Sequence, residues 1–279
     1  MPYIDISQSK SKPVKMHYQD FGEGAPVVLI HGWPLSGRTW EPQAADLVDA
    51  GFRVITYDRR GFGASSQPWS GYDYDSLARD LNELITELEL KGVTLVGFSM
   101  GGGEVARYIG AYGTAFIRCA VFAAAVPPFL LKGASNPDGA VTEEDVLKKE
   151  QAVLEDRMQF LDEFTHKFFS NAEGTLLVSE AQREYAKTIA AFASPKATHA
   201  CIGSFSKTDF REDLQKIDVP TLVIHGDSDR IVPMEVSGLR THQMVQGSEM
   251  HVIRNGPHGC NLSHAKEFNR VLIDFINAH

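Results

Sequence analysis

Val93-Thr94-Leu95-Val96-Gly97-Phe98-Ser99-Met100-Gly101-Gly102-Gly103 is the stretch on which the reading of this chain turns. Residues 93–96 are apolar and largely β-branched, the composition of a short strand buried on both faces. They lead into G-x-S-x-G, the pattern of a serine presented on a sharp strand-to-helix turn. Val105, Tyr108, Ile109 and Tyr112 then follow at the spacing of one helix face. The glycines have a steric reason: at positions 97 and 101 a Cβ would meet neighbouring backbone. Met100 places a backbone N–H at the helix start, where the positive dipole end favours a developing oxyanion. The same letters also fit an ordinary glycine-rich turn. Residues 101–106 further overlap a G-x-G-x-x-A dinucleotide fingerprint, which requires an acidic residue at the end of the next strand. That strand, residues 119–123, runs on into Ala124-Ala125-Val126 with no acid. The serine reading therefore depends on partners elsewhere.

Working outward, residues 3–7 and 15–19 alternate as an antiparallel pair at a sheet edge. Residues 27–30 read as a buried strand ending in His31-Gly32-Trp33-Pro34. A helix is expected within residues 35–50, with Trp40, Ala44, Leu47 and Val48 on one face and Gly51 as its stop. Residues 53–57 form the next strand, and residues 74–90 a long amphipathic helix leading into the central stretch. This alternation is the signature of a mostly parallel sheet covered on both faces, an α/β fold. It breaks after Val126. Residues 127–216 read as helical, with Phe129, Phe160, Phe164, Phe168, Phe169, Phe192 and Phe205 spread through them. Strands resume at residues 221–225 and 249–253, and a closing helix is expected over 263–276. The expected organisation is one α/β core in two parts, residues 1–126 and 217–279, with residues 127–216 inserted as a helical cap.

Composition narrows the function. The chain has 279 residues, 43% hydrophobic and 23% charged, with a formal net charge of −9. That balance repels a phosphate backbone, and no basic run interleaves with aromatics, so nucleic acid is not an expected partner. The longest apolar run, residues 119–131, is too short to span a bilayer and contains Pro127-Pro128. The N-terminus lacks a signal-peptide pattern, so a cytoplasmic protein is the simplest expectation. Cys119, Cys201 and Cys260 are odd in number and widely spaced, matching neither a disulfide framework nor a zinc site.

A serine nucleophile needs a base to take its proton and a carboxylate to orient that base. The last two strands end where such groups belong. Residues 221–225 run into Gly226-Asp227-Ser228-Asp229, and residues 249–253 lead to Gly256-Pro257-His258-Gly259. Three strand ends thus supply Ser99, Asp229 and His258 in one workable chain order. Asp227 is the rival orienting acid, and Asp229 is preferred. His251 lies inside a strand and His264 in a helix, which leaves His258 as the expected base. Trp33, after the strand beside the central one, can give a second oxyanion N–H next to that of Met100. His31 reads as a brace for that loop, and Asp58-Arg59-Arg60-Gly61 as a structural ion-pair turn. The cap aromatics, Phe160 and Phe164 first, are candidates for an apolar pocket over the serine.

Five segments together, His31-Gly32-Trp33-Pro34-Leu35-Ser36-Gly37, Tyr57-Asp58-Arg59-Arg60-Gly61-Phe62-Gly63-Ala64-Ser65, Gly97-Phe98-Ser99-Met100-Gly101, His225-Gly226-Asp227-Ser228-Asp229 and Pro257-His258-Gly259, resemble the bacterial cofactor-free haloperoxidases of the α/β-hydrolase superfamily. Closely similar aryl esterases, perhydrolases and γ-lactamases belong with them. The resemblance covers essentially the whole chain and is weakest over residues 131–196. It implies an eight-stranded, mostly parallel sheet, the triad Ser99, Asp229 and His258, and oxyanion donors at Trp33 and Met100. It also implies pocket residues Phe129, Phe160, Phe164, Phe205 and Ile231, no metal or haem, and assembly as a dimer, trimer or hexamer. A proline after the oxyanion residue accompanies perhydrolysis in that family, so Trp33 and Pro34 are expected to position hydrogen peroxide. The expected activity is hydrolysis of small or aryl carboxylic esters through an acyl-enzyme, which a small carboxylic acid attacked by Ser99 can also form. Perhydrolysis would then give a peracid that oxidises halide. An amidase or γ-lactamase with the same triad, and a non-catalytic ligand-binding protein on this fold, are the alternatives.

Overall fold

Eight strands lie in one sheet: β1 (Tyr3–Ile6), β2 (Val14–Phe21), β3 (Pro26–Ile30), β4 (Arg53–Tyr57), β5 (Val93–Phe98), β6 (Ile117–Ala123), β7 (Thr221–Gly226) and β8 (Glu249–Ile253). Their spatial order is β1-β2-β4-β3-β5-β6-β7-β8. The computed structural model describes residues 2–6 and 13–279. β1 and β2 pair antiparallel, β2 runs antiparallel to β4, and every later pairing is parallel. The expected start of β1 is met, whereas its expected last residue, Ser7, lies outside the described residues. β5 is central and buried at all six positions. Its apolar, β-branched sequence suits a site with helices on both sides of the sheet.

The helices are α1 (Glu41–Asp49), α2 (Tyr74–Glu87), α3 (Met100–Tyr112), α4 (Glu143–Glu155), α5 (Arg157–Phe169), α6 (Glu180–Ala191), α7 (Pro195–Lys207), α8 (Arg211–Leu214), α9 (Gly238–Met244), α10 (Cys260–Ser263) and α11 (Ala265–Ala278). Local chemistry sets their ends. The Asp73 carboxylate accepts the Ser76 N–H at 2.9 Å and opens α2, whose Leu77, Leu81, Leu84 and Ile85 are buried. Thr142 and Asp145 cap each other reciprocally at the start of α4. The helix expected within residues 35–50 is shorter than that span. Gly37–Trp40 forms a 3₁₀ turn, and α1 begins at Glu41 so that Pro42, which has no N–H to give, falls in its first turn. Tyr112, expected on the buried face of α3, is exposed at its last position, while Val105, Tyr108 and Ile109 are buried. The closing helix is broken at His264 into α10 and α11.

Between β6 and β7 the chain forms α4 to α8 and only isolated bridges such as Leu131–Val141, with no strand among the described residues. No helix among the described residues is long and apolar enough to cross a membrane. All three cysteines are free and buried, and burial pushes their thiols up.

Buried charge ties the first half of the sheet to its helices. The turn after β4 sends Arg59 Nε to Glu104 Oε1 of α3 at 2.5 Å and Arg59 Nη2 to the His31 carbonyl at 2.7 Å. Arg60 meets Asp80 of α2 through two hydrogen bonds of 2.5 Å. Tyr57 Oη donates to the other Glu104 oxygen at 2.7 Å. Asp58 accepts the Gly37 and Ala64 N–H groups at 2.8 Å each. Every cation in this turn is thus committed to the protein.

The start of α3 is packed against β3 without room for a side chain. A Cβ on Gly101 would lie 2.4 Å from the Ile30 carbonyl oxygen, and one on Gly97 2.5 Å from the Gly101 carbonyl oxygen. Backbone atoms cannot swing aside as a side-chain tip can. Gly101→Ala is therefore expected to cost about 1–3 kcal/mol of stability, measured as a lowered urea midpoint. An unchanged midpoint would show that α3 can lift from β3 freely.

Candidate active site

Ser99 joins β5 to α3 with φ +53° and ψ −118°, a backbone conformation that a residue with a Cβ rarely adopts. The surrounding bonds over-determine it. Its N–H donates to the Ala123 carbonyl of β6 at 2.9 Å, and its carbonyl accepts from Gly102 at 3.0 Å and Val126 at 3.2 Å. The hydroxyl is thereby held above the C-terminal edge of the sheet.

The loops after β7 and β8 are locked together by backbone contact. A Cβ on Gly226 would come within 2.1 Å of the Gly256 carbonyl oxygen. The Asp227 carboxylate accepts the Asn255 N–H at 2.6 Å, fixing a turn in which Asn255 has φ +57°. Asp227 is exposed and is spent on this turn. Asp229 is the acid that points inward. Its Oδ1 accepts the Ile231 and Val232 N–H groups at 2.8 Å each, and its Oδ2 lies 2.6 Å from His258 Nδ1.

His258 Nε2 is 2.9 Å from Ser99 Oγ. Because Nδ1 faces a carboxylate, which can only accept, the proton belongs on Nδ1 and Nε2 is left as an acceptor for the serine hydroxyl. Phe168 meets the imidazole edge-on with ring centroids 5.0 Å apart, Phe98 lies at 5.3 Å, and the ring is buried. The serine–histidine–aspartate combination expected from sequence is therefore brought together within hydrogen-bond distance. His251 and His264 pair elsewhere, with Glu267 and Ser263.

A second histidine on the same carboxylate was not singled out by sequence. His225 Nε2 lies 2.9 Å from the Val232 carbonyl and 3.2 Å from Asp229 Oδ2, two acceptors that place its proton on Nε2. Its Nδ1 is buried and unpaired, with Gly238 packed against it. Burial by itself would raise the Asp229 carboxyl, but the His258 charge and the bonds from His225 and His258 outweigh burial. They hold Asp229 well below the usual carboxylate range. The sequence signal was the histidine at the end of β7, which reads equally well as a core residue.

Trp33 follows β3, which pairs parallel with β5 as expected from sequence. Its N–H has no backbone acceptor among the described residues, and that of Met100 belongs to the first turn of α3, which has none within the helix. The Trp33–Pro34 peptide bond is cis. His31 braces this loop: its Nε2 accepts the Arg59 N–H at 3.0 Å, so Nδ1 carries the proton and donates to the Gly32 carbonyl at 2.9 Å. Burial, with the Arg59 charge beside it, pushes the His31 imidazole down to about 3.

A narrow cavity opens beside Ser99, lined in part by Trp33, Lys149, Phe164, Phe205 and Ile231. The Trp33 ring is packed by Phe164 at 5.2 Å, Phe205 at 5.4 Å and Phe160 at 5.9 Å. Phe160 lines a second pocket that adjoins this cavity as a mouth, the two sharing Lys149, Phe164 and Ile231 as walls. Phe129 is not among the residues around this cavity; its ring lies beneath the Arg211 guanidinium, 5.4 Å from the ring centroid. Val126, Leu130, Val141, Lys149 and Val232 line the cavity without having been expected.

Residues 25–265 match the family model for the α/β-hydrolase fold. A non-heme chloroperoxidase of Kitasatospora aureofaciens is 43% identical, over 95% of this chain and 96% of that protein. A bifunctional esterase/perhydrolase of Acinetobacter calcoaceticus is 37% identical, over 95% and 97%. The crystal structure of a bromoperoxidase from Bacillus anthracis superposes with a TM-score of 0.96 at 56% identity, covering 99% of each chain.

The His31 environment sets a pH dependence of stability. A neutral imidazole that protonates freely once unfolded favours the unfolded chain as acid is added. The stability it contributes is intact above about pH 6.5 and falls as pH drops towards 3, by up to about 1.4 kcal/mol per pH unit. Between pH 6.5 and 5 the native chain should lose about 2 kcal/mol more than His31→Gln, read from urea unfolding at both pH values. Equal losses would mean that His31 accepts a proton in the folded state.

Proposed function

We infer the roles of these side chains from the family to which the chain belongs, the α/β-hydrolases, and within it the non-heme haloperoxidase type of ester hydrolase. It acts on small-molecule esters. In our reading Ser99 Oγ attacks the ester carbonyl carbon while His258 Nε2 takes its proton, and Asp229 holds the imidazole orientation and stabilises the imidazolium. The N–H groups of Trp33 and Met100 receive the oxyanion. When the tetrahedral intermediate collapses, His258 returns the proton to the leaving alcohol, and an acyl-Ser99 ester remains. Water, deprotonated by His258, then releases the carboxylic acid. Hydrogen peroxide taking the place of water releases a percarboxylic acid. That peracid oxidises bromide to hypobromous acid, taking up a proton, and is itself reduced to the carboxylic acid. Attack of Ser99 on that acid with loss of water restores the acyl-enzyme, so the acid turns over as carrier.

The observation that carries this reading is the unbroken hydrogen-bond chain from Ser99 Oγ through His258 to Asp229 Oδ2, at 2.9 and 2.6 Å. We further read residues 127–216 as a cap over the core segments 1–126 and 217–279. The cap supplies Phe160, Phe164 and Phe205 to the pocket, whereas Ile231 comes from the loop after β7. The Trp33-Pro34 pair is read as the peroxide-positioning element, on the strength of the family resemblance and of an esterase/perhydrolase among the relatives.

Ser99→Ala should lower turnover of p-nitrophenyl acetate by at least about 10⁴-fold, with the double variant Ser99→Ala/His258→Ala little worse, since the two act as one unit. The same substitution should abolish bromination of monochlorodimedone in acetate, hydrogen peroxide and bromide. Bromination that survives Ser99→Ala would place the oxidation outside an acyl-enzyme. Ester turnover by the native chain without bromination would leave a hydrolase that excludes peroxide, and would remove the role given to Trp33 and Pro34.

A further inference from the structure

The cavity beside Ser99 is apolar on most of its wall, with one cation in it. Lys149, on α4, lines both this cavity and the mouth outside it. Its ammonium lies 5.6 Å from the centroid of the Phe205 ring, which lines the same cavity as Ser99. The side chain is only partly exposed, and no carboxylate among the described residues forms an ion pair with it. Burial first, then the nearby Lys167 charge, pushes its pKa down, against a weaker pull from Asp145. Withdrawing an ammonium from water without an anion is costly. A cation–π contact recovers part of that cost.

The surroundings strengthen the same sign. Lys167 shares the mouth with Lys149, and Arg230, next to Asp229, is close enough to depress Lys167 further. Glu163 is the acid at this rim, and its Oε1 already accepts from Gln159 Nε2 at 2.8 Å. In a chain of net charge −9, two lysines lining one opening against a single carboxylate, with Arg230 near Lys167, form a local field that runs against the whole. A mouth with an excess of positive charge over low-dielectric walls focuses that field and draws in the opposite charge.

We propose that Lys149 is a specificity residue that receives a carboxylate carried by the substrate, so that the preferred esters are half-esters of short dicarboxylic acids. This rests on the ester-hydrolase reading and names its substrate class. Trp33, Phe164, Phe205 and Ile231 hold the methylene chain of the acyl group beside Ser99. The distal carboxylate reaches the ammonium, where a charge-assisted hydrogen bond in a dry site replaces the weaker contact with Phe205. Lys167, at the same opening, guides the anion towards it.

The test compares monomethyl glutarate with methyl pentanoate, which have the same five-carbon acyl chain and differ in carboxylate against methyl at its end. Hydrolysis is followed by pH-stat for the native chain, Lys149→Met, Lys149→Gln and Lys149→Arg. The ratio of kcat/KM for the glutarate ester over the pentanoate ester should fall at least about tenfold in Lys149→Met and Lys149→Gln, mainly through KM. Lys149→Arg should keep most of it. A ratio that neither neutral variant moves, or native enzyme that hydrolyses methyl pentanoate but not monomethyl glutarate, overturns the proposal and leaves the hydrolase reading standing. Native enzyme inactive on both of these esters and on p-nitrophenyl acetate would defeat the hydrolase reading, and this inference with it.

Discussion

The site depends on one backbone constraint: Ser99 is held at φ +53° between a strand and a helix that approach each other with no space for side chains. Left alone, a serine would relax from this conformation and carry its hydroxyl with it. Three backbone hydrogen bonds to Ala123, Gly102 and Val126 prevent that, and the glycines at 97 and 101 allow α3 to lie on Ile30 closely enough for those bonds to form. The strain is local. The sheet around it bears the cost, with β5 buried at every position between β3 and β6.

Two further constraints bring His258 and Asp229 to the serine. Gly226 against Gly256 fixes the loops after β7 and β8 as one unit, so Asp229 and His258 are positioned together rather than separately. The Asp229 carboxylate is then saturated by two N–H groups and two imidazoles. A carboxylate so bound stays ionised and has no freedom to turn, which is what an orienting group requires. On the other side of the serine, Arg59 links the His31 loop to Glu104 of α3. The loop that carries Trp33 and the helix that carries Met100 are thereby tied through one buried guanidinium.

Most of this could be read from sequence because it is written locally. A strand end, a glycine and a chemically demanding residue fall within a few positions of each other at Ser99, Asp229 and His258, and the strand periodicity places all three on one edge. The choice of Asp229 over Asp227 was legible as a preference, and its physical basis is that Asp227 is used up on the Asn255 turn. The cavity was only half legible. Phe160 and Phe164 came from an aromatic stripe and Phe205 from the family resemblance, but the same resemblance included Phe129, which faces Arg211 instead. How residues 127–216 pack is decided by contacts between distant segments, which no short pattern encodes. Lys149, on a helix rich in charged residues, looks like any solvated lysine until α4 is placed beside Phe205. His225 was hidden for the opposite reason, since a histidine at a buried strand end is ordinary core.

The central claim, that Ser99 is the nucleophile activated by His258, is tested most directly by covalent labelling. The native chain and His258→Ala are treated with diethyl p-nitrophenyl phosphate and read by intact mass and peptide mapping. The account predicts one diethylphosphoryl group per native chain, on Ser99, and labelling slowed by orders of magnitude in His258→Ala. Modification at another residue, or ester hydrolysis that continues in a chain fully labelled at Ser99, would contradict it.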